Sequence, residues 1–130
     1  MKRQRGFTLI EVLIVIVLVV ILASIGLATY TNSVRRAREA TLKEDLFRMR
    51  DAMDQYYADK NKWPSSLQDL VTDGYLRAIP KDPFTDSAET WQVDNAEPDA
   101  NNPTAEPGID DVHSGSEETA SDGSKYSEWD

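Results

Sequence analysis

Gly6-Phe7-Thr8-Leu9-Ile10-Glu11 opens an apolar stretch that runs to Ala28, and its middle, Val12 to Ala23, is twelve unbroken residues of Val, Ile, Leu and Ala. Between Phe7 and Ala28 there are 22 residues and one charge, Glu11. Wound as a helix, that length rises roughly 33 Å, enough to cross the hydrocarbon core of a bilayer. A helix apolar on every side needs cover on every side. The remaining chain is too small to supply it, which argues against a buried helix of a soluble protein.

Working outward, Lys2, Arg3 and Arg5 precede the span, and Arg35, Arg36, Arg38 and Lys43 follow it. The count of flanking positive charge is nearly balanced, and only the closeness of the leading group favours a cytoplasmic N-terminus. No Pro occurs before Pro64, and Gly26 is the only Gly between Gly6 and Gly74, so helix is expected from about Phe7 to Asp59. Its later part carries Leu42, Leu46, Met49, Met53 and Tyr56 at spacings of 4, 3, 4 and 3, a single apolar stripe. Tyr30, Val34 and Ala37 continue that spacing one section earlier. Opposite charges recur four apart, at Arg35/Glu39, Glu39/Lys43, Glu44/Arg48 and Arg50/Asp54. The stripe is short for an independent coiled coil, so it is expected to pack on the chain's own C-terminal part. Arg35-Arg36-Ala37-Arg38 reads as a solvated or subunit-facing helix face, with lipid headgroups or nucleic acid as the rival partners.

The chain has 130 residues, 14 Lys+Arg against 23 Asp+Glu, and a net charge of -9. Residues 1–63 hold 11 Lys+Arg and 7 Asp+Glu, a net of +4, whereas residues 64–130 hold 3 and 16, a net of -13. Such a balance argues against a nucleic-acid binder, which needs a basic surface. There is no Cys, hence no disulfide and no thiolate metal site. His113 is the only His and has no partner set for catalysis, so no enzyme is expected; a loop or strand position with a satisfied hydrogen bond is expected instead.

In the acidic part, Pro64 disfavours helix at Trp63 and ends the long helix. Ser65 or Ser66 caps a short helix through Leu67, Leu70 and Val71, which Gly74 closes. Trp91-Gln92-Val93 and Gly108-Ile109 to Val112-His113 read as short strands, residues 94–107 and 114–124 as loops, and Tyr126 to Trp129 as a last extended piece.

Three outcomes for the N-terminal segment are compared: a secretory signal cut after Gly26-Leu27-Ala28, a plain signal anchor, and a third that rests on resemblance. A short basic leader, Gly6, then Phe7-Thr8-Leu9-Ile10-Glu11 and a long apolar run resemble the processing site of the type IV pilin and pseudopilin family. That resemblance implies a prepilin peptidase cutting between Gly6 and Phe7 and methylating the new N-terminus of Phe7. It also implies that Glu11 pairs with the Phe7 amine of a neighbouring subunit during assembly. Trp63-Pro64, Gly74-Tyr75-Leu76, Ile79-Pro80-Lys81-Asp82-Pro83-Phe84 and Ser114-Gly115 resemble the major, G-type pseudopilins of type II secretion systems. The lack of Cys fits them too.

The expected fold is therefore α+β and pilin-like. A leader (1–6) precedes a membrane and filament-core helix (7–28) and its amphipathic extension (29–62). These pack on an acidic periplasmic domain (63–130) of short antiparallel strands and irregular loops. The implied function is a homopolymer, a pseudopilus driving type II secretion. Its implied partners are the peptidase, an inner-membrane assembly platform and minor pseudopilins. The alternatives are a surface pilin and a membrane-anchored monomeric binding module. The implied location is the bacterial inner membrane, single-pass, N-terminus cytoplasmic. The resemblance further implies one calcium ion in the C-terminal loop, with Ser114, Glu118 and Asp122 as ligands. The family's paired Asp at the end of that loop is replaced here by Asp122-Gly123, and the Pro that family members often carry in the apolar span is Ala28.

Overall fold

A computed structural model describes residues 6–130. Most of the expected leader, residues 1–5, thus lies outside the described residues. The first element, α1, spans Leu9–Lys60. The chain divides into two compact units, one through Arg36 and one from Ala37 to Asp130.

The first unit is the apolar part of α1. Thr8 starts it: the Glu11 amide donates to Thr8 Oγ1 at 3.2 Å, and the Val12 amide to the Thr8 carbonyl at 3.2 Å. This is the N-cap of a Thr-x-x-Glu box, a signal in the sequence that the apolar run overshadows. Every side chain from Leu9 to Leu27 faces outward and is exposed. The few polar groups bond to their own helix: Ser24 Oγ donates to the Val20 carbonyl, Thr29 Oγ1 to Ile25 and Thr31 Oγ1 to Leu27. Hydroxyls satisfied in this way cost little to desolvate in a bilayer, which leaves Glu11 as the one charge of this stretch. Helix continues through Gly26, whose cost relative to Ala is only about 1 kcal/mol.

In the second unit, the end of α1 supplies Leu42, Leu46, Met49, Ala52, Met53 and Tyr56 to the core. All five residues of the expected stripe are buried. Tyr30, at the earlier positions of the same spacing, stays exposed. Against the stripe pack Leu67 and Leu70 of α2 (Leu67–Thr72), Trp91, Ile109, Val112, Ala120 and Tyr126. Ser66 is the N-cap of α2 but makes no side-chain cap bond; Asp69 reaches back instead and accepts from the Ser65 amide at 2.9 Å. Gly74 follows with φ of 85°, the left-handed turn that favours Gly.

Strands β1 (Gln92–Asn95) and β2 (Ile109–His113) form one antiparallel ribbon, with Gln92 opposite His113, Val93 opposite Val112 and Asp94 opposite Asp111. The α+β layout follows the expectation. Its last piece does not: Tyr126–Glu128 is a 3-10 turn, not an extended strand. The cause is Tyr126, which is fully buried and stacks on Phe84 with ring centroids 3.8 Å apart. Tightening the chain there lets the Glu128 amide bond Lys125 and the Trp129 amide bond Tyr126.

Candidate functional site

At the N-terminus, Gly6, Phe7 and Glu11 are brought close by the start of α1. Phe7 is 82% exposed, one residue before the capping Thr8. The Gly6–Phe7 bond therefore lies in open, non-helical chain. Glu11 lies in the first turn of α1. A carboxylate there meets the positive end of the helix dipole and sits about one turn from the residue whose amine processing would free.

The C-terminal loop is organised by Asp82, a residue the sequence does not single out. Asp82 is fully buried. It accepts from Ser114 Oγ at 2.5 Å, from the Gly115 amide at 3.2 Å and from the Phe84 amide at 2.9 Å. Ser114 Oγ in turn accepts from the Ser116 amide, and Ser116 Oγ from the Glu118 amide. One carboxylate thus terminates a chain of donors running from residue 118 back to residue 82. A second anchor is Glu39 of α1, which accepts from the Ser121 amide and hydroxyl and, at 2.8 Å, from Tyr126 Oη.

These partnerships bear on the expected calcium ligands. A hard cation needs several oxygens. Ser114 does not fit, because its hydroxyl is buried and already donated to Asp82. Asp122 takes the Ser124 amide at 2.9 Å and its hydroxyl at 2.5 Å, and these bonds hold its carboxyl below the usual carboxylate range. Glu118 is exposed, and its carbonyl accepts from the Tyr126 amide. No hydrogen bond joins any two of the three. The fit is partial: Glu118 and Asp122 keep carboxylates at the surface, and Ser114 is committed elsewhere.

Of the expected helix pairs, Glu44/Arg48 forms at 2.9 Å. Arg50 turns away from Asp54. Its Nε donates to Asp111 at 2.7 Å, and its Nη2 to the Val112 and Trp129 carbonyls. His113 sits in β2, with Nδ1 3.1 Å from the Trp129 carbonyl and Nε2 3.0 Å from Asp94. A strand position with one hydrogen bond, Nδ1 to the Trp129 carbonyl, agrees with the expectation.

A capped helix with a long apolar first part, followed by a small α+β head, is the layout of a pilin-like subunit. The prokaryotic N-terminal methylation motif matches residues 1–27. The type II secretion system core protein G of Pectobacterium carotovorum subsp. carotovorum is 35% identical over 98 residues, covering 63% of this chain and 63% of that protein. The core protein G of Klebsiella pneumoniae is 33% identical over 100 residues, covering 65% and 71%. That of Vibrio cholerae serotype O1 is 31% identical over 99 residues, covering 65% and 68%. The chain belongs to the type II secretion system core protein G family. It spans about two thirds of these relatives' length, and no solved structure matches it.

Proposed function

We propose that the chain is a major pseudopilin: cut between Gly6 and Phe7, N-methylated at Phe7, and polymerised into a helical filament that drives type II secretion. The observation that carries this is the junction of residues 6–11. An exposed Gly-Phe bond stands next to the cap of a helix whose apolar residues from Leu9 to Leu27 are all exposed within the chain. A carboxylate in such a helix costs on the order of 2.5–3.5 kcal/mol at mid-membrane. Processing frees the Phe7 amine, largely protonated near neutral pH. In the filament, that amine on one subunit neutralises Glu11 of its neighbour, and low dielectric strengthens the pair. A subunit left unpaired keeps the penalty, so assembly is favoured in one register. The prepilin peptidase acts on the cytoplasmic side, while the platform and minor pseudopilins meet the helix in the inner membrane. The head, residues 63–130, faces the periplasm.

Calcium belongs to the proposal through Glu118 and Asp122 alone, with Ser114 kept in the Asp82 network. The ion would screen the surplus of carboxylates in the loop.

N-terminal sequencing with intact mass tests the central claim. A mature chain beginning with N-methylated Phe7 is the expected result. A start at Thr29, or an uncut chain from Met1 in assembled material, would overturn it.

A further inference from the structure

The ribbon gathers three metal-ligating side chains that the secretion reading leaves unused. Asp94 and Asp111 are cross-strand partners, and like charges directly opposite destabilise a sheet. His113 lies two residues beyond Asp111 and so shares its face. Nε2 of His113 is 3.0 Å from Asp94 Oδ2 and 3.5 Å from Asp111 Oδ2. One ligand atom from each of the three lies within 4.8 Å of the others.

The other ring nitrogen decides what occupies this space. His113 Nδ1 is 3.1 Å from the Trp129 carbonyl. A carbonyl only accepts, so Nδ1 carries a proton, and in a neutral ring the Nε2 lone pair then faces two carboxylates. A positive species belongs there, either a second proton or a metal ion. Two ligands bound about 2.1 Å from a tetrahedral centre stand about 3.4 Å apart, and the observed 3.0 and 3.5 Å bracket that spacing. Two outer contacts orient the ligands as in metal sites: Nδ1–H on the main-chain carbonyl, and Arg50 Nε on Asp111 Oδ1 at 2.7 Å. The Asp94 side chain is 60% exposed, which leaves an entry path and room for water as a further ligand. The Arg50 charge offsets one carboxylate, so the site retains one net negative charge for a dication.

We propose that Asp94, Asp111 and His113 Nε2 bind a divalent transition-metal ion of the zinc type. The ion ties β1 to β2 and, through the Nδ1 bond, to the chain end at Trp129. The imidazole nitrogen separates this site from an all-oxygen calcium loop.

The test titrates Zn2+ into the full chain in detergent micelles near pH 7.5, with Ca2+ and Mg2+ in parallel. His113 is the only His, so its 15N signals report on the site without ambiguity. One Zn2+ per chain is expected, with the Nε2 resonance moving to a metal-bound position while Nδ1 keeps its proton. Asp94→Asn and His113→Gln should each weaken binding at least about tenfold, and the exposed Asp94 makes the first variant a safe one for folding. Circular dichroism of both variants checks the fold. An Nε2 signal unmoved at saturating Zn2+ would overturn the proposal, as would affinity unchanged in both variants or Ca2+ competing on equal terms.

Discussion

Asp82 is the one fully buried charged side chain among the described residues. It accepts three bonds, two from the adjacent Ser114 and Gly115 and one from Phe84 in its own turn. Asp82→Ala would orphan those donors at about 1–3 kcal/mol each. The expected outcome is a marked drop in melting temperature and loss of amide protection at Gly115 and Ser116; a melt like the parent's would show that the network is incidental. Glu11 has the opposite character: it is exposed, and in the proposed filament it pairs with a neighbouring subunit. Glu11→Ala should leave membrane insertion intact, because it removes a charge from the span, yet cut filament yield about tenfold or more through loss of a low-dielectric ion pair. Membrane fractionation beside electron microscopy separates those two effects, and filaments at parental yield would refute the pairing.

At the scale of elements, the corner between α1 and α2 is closed by two exposed bonds. Lys60 Nζ donates to Asp73 at 2.7 Å, and Tyr75 Oη donates to Asp59 at 2.7 Å. The Asp73 bond raises the Lys60 ammonium above its ordinary value, and the Asp59 bond raises the Tyr75 phenol. In both cases the folded chain holds its proton more tightly than the unfolded one. This stabilisation is whole below the ordinary Lys and Tyr values and is lost as pH rises through the raised ones. Lys60→Met with Tyr75→Phe should therefore flatten the alkaline fall of melting temperature and leave the neutral range little changed. A steep alkaline limb in the double variant would place the sensitivity elsewhere. The loop after β2 makes a different demand. A Cβ on Gly115 would stand 2.1 Å from the Thr90 carbonyl oxygen, so Gly115→Ala should destabilise by about 1–3 kcal/mol through overpacking. Denaturant titration at constant m-value measures it.

For the molecule as a whole, charge bears on the proposed assembly. The sequence carries -9, and the proposed cleavage, by removing Lys2, Arg3 and Arg5, would bring the processed chain near -12. Subunits bearing that charge repel over roughly a Debye length, about 10 Å at 0.1 M salt. Filament yield should rise with monovalent salt, read by sedimentation across an ionic-strength series. Millimolar calcium should in addition raise the melting temperature of the head through Glu118 and Asp122. An unchanged melt would confine calcium to bulk screening.

The apolar run, its single Glu and the Gly-Phe junction are local facts, so sequence alone determined the long helix, its capacity to span a bilayer and the family to which it points. The 4-3-4-3 stripe likewise foretold five of the six buried residues of α1, all but Ala52, because helical periodicity is fixed by the backbone. Tertiary structure alone decided the rest. Asp82 meets Ser114, Glu39 meets Ser121, Arg50 leaves Asp54 for Asp111, and His113 meets Asp94, all across 19 to 82 residues of chain. The expected extended piece at Tyr126 became a turn for the same reason: a buried ring stacked on Phe84 outweighs a weak local preference. Propensity acts between neighbours along the chain, whereas burial and hydrogen bonding act between neighbours in space, and short polar loops have too little of the first to resist the second.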